Sequence, residues 1–277
     1  MGGRGAGGGP DHARPARWGV SFDPVAFRSD RLPTEHFDRR FSEENLAFWV
    51  PLLLRSARIT PGLEVLDVGC GTGGFARAIA SAAPAEVTGF DRSARFIDFA
   101  RRRPRPPAGA VRWVVGDAEQ LPFAALSFDR VLLSLVLHQL ADPRAGVAGA
   151  VRVLRGGGLV LVRTIAPQDV AGRVPQRFIP RMAAIDAARL PSVEAITAWL
   201  AQAGFTSVTA HRHLRNSRLV LADVERVLRT EASSRYGFLT SDQLEEGLRR
   251  MRADAARGDW TDPRPTYIIV GVKPSAA

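Results

Sequence analysis

The run Asp67-Val68-Gly69-Cys70-Gly71-Thr72-Gly73-Gly74 sets a carboxylate just ahead of four closely spaced glycines. Glycines let a backbone pass close to a ligand and take angles that other residues avoid. The spacing Gly69, Gly71, Gly74 also satisfies the dinucleotide fingerprint G-x-G-x-x-G, so spacing alone leaves two ligands open. Asp67 separates them, because a carboxylate at that point repels a pyrophosphate and complements a cation. Asp91 follows the glycines by about 20 residues, where an acidic side chain accepts hydrogen bonds from both hydroxyls of a ribose. Asp117, in Gly116-Asp117-Ala118, can reach the amino group of an adenine. Glycine loop and carboxylates together outline a cationic, nucleoside-shaped ligand.

Other reactive side chains carry weaker patterns. Cys70 lacks a basic neighbour, so it reads as a small loop residue and not as a nucleophile. His138, in Leu137-His138-Gln139-Leu140, is the candidate general base, with a hydrogen-bonded structural role as its competitor. His211 and His213 alternate without a third ligand, so no metal site is expected. His36, Glu43, Arg235 and Tyr236 could face a ligand but are equally at home on a surface.

The elements that position these residues alternate. Short apolar strands are predicted at Glu64–Val68, Glu86–Phe90, Val111–Val115, Phe128–Leu133 and Gly158–Thr164, and later at Thr206–His213 and Thr266–Val272. Helices are predicted at Phe75–Ala82, from Ser93 toward Arg103, at Arg144–Leu154 and at Val193–Ala203, the last capped by Ser192 and stopped by Gly204. Repeated strand, helix, strand units make a doubly wound α/β fold around a mostly parallel, seven-stranded sheet. A helical preamble from Thr34 to Ala57 precedes it, with Pro51 expected to break the helix or start a new first turn. Residues 170–190 carry Pro175 and Pro180 and read as a lid, and about fifty residues separate the last two strands.

Composition bounds the setting. The 277 residues are 45% hydrophobic, enough for one α/β domain with a lid. No stretch reaches the roughly 18 apolar residues of a membrane span, Met1 to Trp18 lack a signal-peptide core, and the lone cysteine excludes a disulfide framework, so a cytoplasmic protein is expected. The formal charge of +10 raises the question of nucleic acid, but of the 38 basic residues only Lys273 is lysine, which points to arginine-rich composition and disfavours that partner. The basic run Arg101 to Arg105 reads as the solvated end of a helix.

Four motifs in order give the chain a family likeness. Val65 to Gly73, Gly89-Phe90-Asp91, Gly116 to Phe123, and Ser127 to Val131 with Arg155-Gly156-Gly157-Gly158 resemble the class I S-adenosylmethionine-dependent methyltransferases. The branch they are most similar to comprises the small-molecule enzymes of ubiquinone and menaquinone biosynthesis. The resemblance covers about residues 60–165 and implies a Rossmann-like fold with S-adenosylmethionine as cofactor. It implies contacts from Gly69 and Gly71 to the methionyl part, from Asp91 to the ribose, from Arg92 to the adenine edge, and from Asp117 and Ala118 to the adenine, with Asp67 and Cys70 also binding the cofactor. Ser134 falls where the family meets cofactor or acceptor. On this reading residues 1–18 form a disordered glycine-rich tail, 19–58 a helical cap, and 59–277 the methyltransferase domain, with lid insertions at about 167–191 and 215–265.

The acceptor is narrowed by what is missing. Ser134-Leu135-Val136-Leu137 replaces the Asn/Asp-Pro-Pro-aromatic run of amino methyltransferases, and Cys70 is misplaced for attack on cytosine. Only Asp142 is conspicuous as an acidic ligand beyond the fourth strand, which disfavours metal-dependent catechol methylation. A small organic acceptor, of natural-product type, remains, methylated on oxygen, carbon or nitrogen, with Phe178, Met182 and Phe238 as candidate pocket walls beside Ile179 and Leu219. An RNA methyltransferase, a protein of this fold that does not transfer methyl, and an NAD-dependent oxidoreductase stay open as alternatives. The preamble helix and late insertion are natural homodimer elements.

Overall fold

The computed structural model describes residues 34, 38, 41–231, 239–258 and 260–275. One seven-stranded sheet runs in the order β3-β2-β1-β4-β5-β7-β6. Its strands are β1 Glu64–Val68, β2 Glu86–Asp91, β3 Ala110–Val115, β4 Phe128–Ser134, β5 Leu154–Thr164, β6 Ser207–Arg218 and β7 Thr261–Val272. β1 to β5 are parallel, whereas β7 is antiparallel to both β5 and β6. The helices are α1 Glu43–Ser56, α2 Gly74–Ala82, α3 Ala94–Arg102, α4 Pro143–Val153, α5 Pro180–Arg189, α6 Val193–Gln202, α7 Leu221–Glu231 and α8 Ser241–Ala255.

Two apolar layers sandwich the sheet. On one face Val147, Ala150 and Val153 of α4 and Ile196 and Leu200 of α6 pack on Leu66, Val68, Val131, Leu133, Val160 and Val162. On the other, Trp49, Val50 and Leu53 of α1 and Phe75, Ala76 and Ile79 of α2 cover Val65, Val87, Leu132, Leu161 and Ile268. Successive strand residues thus feed opposite layers, as the two-residue period requires. A third cluster joins Val174, Ile179 and Met182 to Leu228 of α7 and Leu248 and Met251 of α8, so the two segments between late strands share one small core.

Several motif residues serve as fasteners at the sheet edge remote from the glycine loop. Asp129 accepts from the Glu64 backbone N–H at 2.9 Å and pairs with Arg155 at 2.8 Å, tying together the starts of β1, β4 and β5. Arg152 donates to the carbonyls of Leu121 and Phe123, both at 2.6 Å, and holds the loop after β3. Phe123 packs edge-on against Phe90 and Phe128. Asp142 caps α4 through the Arg144 N–H, which accounts for that conspicuous carboxylate structurally.

Four boundaries differ from expectation. α1 continues through Pro51, whose ring lies on the exposed side while Trp49, Val50 and Leu53 anchor the buried side. β5 begins at Leu154, ahead of the three glycines, and α4 ends one residue earlier. α3 stops at Arg102, leaving the end of the basic run in the following loop. β6 and β7 form a longer ladder, from Ser207↔Val272 to Arg218↔Thr261, so the segment between them runs only from Leu219 to Trp260. The added residues of β7 include Pro263 and Pro265. β5 pairs with β7 only as far as Tyr267, however, so residues 261–266 have β6 on one side alone, and a missing N–H can face outward.

Candidate functional site

The strand order reverses direction between β1 and β4, and the carboxyl ends of the strands there carry the glycine loop. Ligands of open α/β sheets bind at such a switch point. The Gly69 and Cys70 N–H groups both donate to the Phe90 carbonyl, at 2.7 and 3.1 Å, folding the loop back over the end of β2. Gly69 has φ +74°, and a Cβ there would stand 2.5 Å from Val136 Cγ2, so conformation and space both demand glycine. Gly71 has φ +56° and a Cβ would meet nothing within 4 Å. That open space above the loop is the room a ligand needs.

Asp91 braces the loop with both carboxylate oxygens. Oδ2 accepts from the Gly71 N–H and Oδ1 from the Ser93 N–H, each at 2.9 Å. Burial pushes its pKa up, and these two backbone donors and the Arg92 charge pull it down. A carboxylate offers about four acceptor positions, so the oxygens can still take a pair of ribose hydroxyls. Asp67 is 2% exposed and accepts no hydrogen bond from the described residues. Burial, then repulsion from Asp91, pushes its pKa up to about 7 against the attraction of Arg163. A buried carboxylate so starved of donors is suited to an incoming ammonium group.

The remaining predicted residues are spread along this edge. Ala118 is buried, and Asp117 is exposed with Oδ1 accepting from the Glu119 N–H at 3.0 Å, so part of its carboxylate serves the turn. Arg92 is exposed just past Asp91. Cys70 is 4% exposed; burial, together with the Asp67 and Asp91 charges, raises its thiol well above the usual range, against nucleophilic use. The preamble closes over the loop: Thr72 donates to Asp38 at 3.2 Å, Asp38 pairs with Arg103, and the Phe41 ring lies against Gly74 and edge-on to Phe75. Glu43 lies exposed in the first turn of α1, and His36 falls outside the described residues.

Arg163 is the site residue that sequence reading missed. It ends β5 beside Ser134 of β4, donates to Ser134 Oγ at 3.1 Å, and stacks over Trp49 at 4.3 Å and Phe75 at 5.0 Å. Its side chain is thus held between two aromatic faces and its charge reaches Asp67. The available signal was a lone arginine in the otherwise apolar run Leu159-Val160-Leu161-Val162-Arg163. Leu135, next along β4, takes φ +56°, a conformation leucine rarely adopts and one that clusters at functional sites.

Beyond these strand ends lies a cavity of about 530 Å³. Trp49, Leu135, Ile165, Val170 and Met182 supply apolar wall, and His138 lines it from the short 3₁₀ turn Leu137–Gln139. Leu219 lines it too. Phe178 does not: its ring turns toward Trp260 at 6.2 Å, and Ile179 packs on Gly247 instead. Phe238, Arg235 and Tyr236 lie outside the described residues. His211 and His213 sit on β6, where burial and then His211 lower the His213 pKa, and among the described residues no group of three metal-ligating side chains assembles. No helix among them is long and apolar enough to cross a membrane.

A family model described as a methyltransferase domain matches residues 66–162, which span the glycine loop, Asp91, Asp117 and Ser134. The chain is 29% identical over 222 residues to a demethylmenaquinone methyltransferase of Clavibacter sepedonicus, covering 73% of this chain and 86% of that one. It is 33% identical over 152 residues to the O-methyltransferase cnsE of Penicillium expansum, where it covers 53% of this chain and about half, 54%, of the relative. Among solved structures, a protein provisionally named a methyltransferase from an antibiotic biosynthesis pathway of Anabaena variabilis shares the fold with a TM-score of 0.65 at 21% identity, over 80% of this chain and 96% of that one.

Proposed function

Because the chain belongs to the class I S-adenosylmethionine-dependent methyltransferases, we propose that it methylates an oxygen, carbon or nitrogen atom of a small organic acceptor of natural-product type. The observation that carries this reading is the cavity of about 530 Å³ opening beside Ser134, Leu135 and Arg163 at the same sheet edge as the glycine loop. The O-methyltransferase relative agrees with an oxygen acceptor without selecting it. The lone cysteine fits action in the cytoplasm.

Asp67 and Arg163 would hold the ammonium and carboxylate ends of the cofactor, Gly69, Cys70 and Gly71 its methionyl part, Asp91 the ribose, and Arg92, Asp117 and Ala118 the adenine. When bound, S-adenosylmethionine supplies an electrophilic methyl carbon on a sulfonium that is already an excellent leaving group. The protein's own contribution is alignment and the removal of water, and the apolar wall formed by Trp49, Leu135, Ile165 and Met182 serves both. An acceptor that must lose a proton needs a base, and His138 on the cavity wall is the group we assign to it. His138→Ala should then lower kcat about 100-fold or more with the affinity for S-adenosylmethionine unchanged. An unaltered rate across the pH range would remove His138 from the mechanism.

Several arginines sit in surface ion pairs, such as Arg252 with Glu225 at 2.8 Å and Arg229 with Glu245 at 2.5 Å, which supports a scattered positive charge over a track for RNA. The test of the function is calorimetric binding of S-adenosylmethionine, its demethylated product and NAD, followed by mass-spectrometric screening of acceptors for one added methyl group. Binding of NAD alone would overturn the cofactor reading. Cofactor binding without transfer to any acceptor would favour a protein of this fold that does not methylate.

A further inference from the structure

We infer that the acceptor is an apolar body carrying an anionic group, a carboxylate or a phosphate, which the cavity's arginines hold. The inference rests on the proposed function in taking this cavity as the acceptor site. Five arginines line it, Arg163, Arg173, Arg189, Arg215 and Arg264, against two carboxylates, Asp186 and Asp223. With Arg163 set aside for the cofactor, four guanidinium groups still come from four separate elements: the segment after β5, the end of α5, β6 and β7. Guanidinium forks match carboxylate and phosphate oxygens two at a time, and a partly enclosed site raises the value of each such bond.

The acidic groups nearby leave part of this excess in place. Asp186 accepts from Gln176 Nε2 at 2.8 Å and pairs with Arg189 at 3.9 Å, which takes Arg189 out of the excess, and Asp223 pairs with Arg226. Arg215 reaches Glu44 at 2.7 Å, but the Glu44 side chain is 80% exposed, so water screens its charge while Arg215 stays 13% exposed. Arg264 gives the clearest case. Its Nε donates to Asp262 at 2.7 Å, and Asp262, fully buried, spends its other oxygen on the Val174 N–H at 2.8 Å. The pair aligns Arg264 so that its two terminal nitrogens, which bond no described residue, can serve the cavity. An amine would find carboxylates already engaged, whereas an anion would find the terminal nitrogens of Arg264 in a wall of net positive charge. The apolar wall of Trp49, Met182 and Leu219 accepts the rest of the molecule.

A matched series on one body tests this: 3-phenylpropanoate, 3-phenylpropyl phosphate, 3-phenylpropanamide and 3-phenylpropylamine, each titrated calorimetrically into the full chain with and without the demethylated cofactor. The acid and the phosphate should bind at least 10-fold tighter than the amide, with the tighter of the two naming the anion, and the amine should bind least. Arg264→Gln should weaken the anions about 10-fold and leave the amide unchanged, with Arg264→Lys recovering part of the loss. Should Arg264→Gln fail to fold because it strips Asp262 of its partner, the wild-type series decides alone. Equal binding of acid and amide, or preference for the amine, overturns the inference. Failure of the demethylated cofactor to bind would overturn the proposed function instead, and the titration without it still reads the preference for anions.

Discussion

Replacing Asp67 with asparagine should give a free protein that resists unfolding better at pH 8 and holds S-adenosylmethionine on the order of 100-fold more weakly. Burial and Asp91 raise the Asp67 pKa from 3.8 to about 7. At about 1.4 kcal/mol for each pKa unit, keeping this group ionised costs the folded chain on the order of 4 kcal/mol. The folded state binds the proton more tightly than the unfolded chain, so stability falls as pH rises from about 4 to about 7 and is level above. Asparagine keeps the shape and removes the charge. Thermal melts of the free proteins should therefore separate at pH 8 and converge near pH 4. Affinity changes the other way, since truncating one partner of a buried charge pair costs about 2–5 kcal/mol. Wild-type affinity should climb as pH rises through about 7, with a proton released on binding, and the variant should show neither. Equal affinity in the two proteins would mean that Asp67 does not face the cofactor's cation.

A second substitution separates room for a ligand from strain. Gly71→Ala and Gly62→Ala both put a Cβ on a residue of positive φ, +56° and +79°, and neither Cβ meets another atom within 4 Å. Each should cost about 1 kcal/mol in stability from backbone strain alone. Only Gly71 lies in the loop braced by Asp91, so only Gly71→Ala should lose cofactor binding, by 100-fold or more, with Gly62→Ala binding as wild type. Retained binding in Gly71→Ala would place the ligand elsewhere than over the loop. Urea unfolding and calorimetry on the same samples read both quantities.

The parallel half of the sheet was legible because its strands are short apolar runs, the first three ending at a glycine or a carboxylate, and Asp67 and Asp91 mark strand tips that adjoin in space. Local pattern also placed Ser192 as a cap and Ser93 at a helix start, and both side chains accept a backbone N–H, at 3.0 and 3.3 Å. What stayed hidden depends on partners distant in sequence. The first half of β7, with Pro263 and Pro265, was not expected as strand, because its one partner, β6, lies more than forty residues earlier in the chain. Arg163 reads as the end of a strand until Trp49, more than a hundred residues earlier, is seen stacked on it. The cavity's arginines are scattered over residues 163–264, and only folding turns them into one wall.

The position of β7 bears on how the protein is made. The strand lies inside the sheet, between β5 and β6, although both of these precede it in the chain. While the chain is still emerging from the ribosome, β5 exposes the row of N–H and C=O groups that Tyr267 to Val272 will later occupy, and β6 has no neighbour at all. Arg215 of β6 and Arg264 of β7 therefore reach the cavity in the same late event, so a nascent chain can complete its glycine loop well before it has anywhere to put an acceptor.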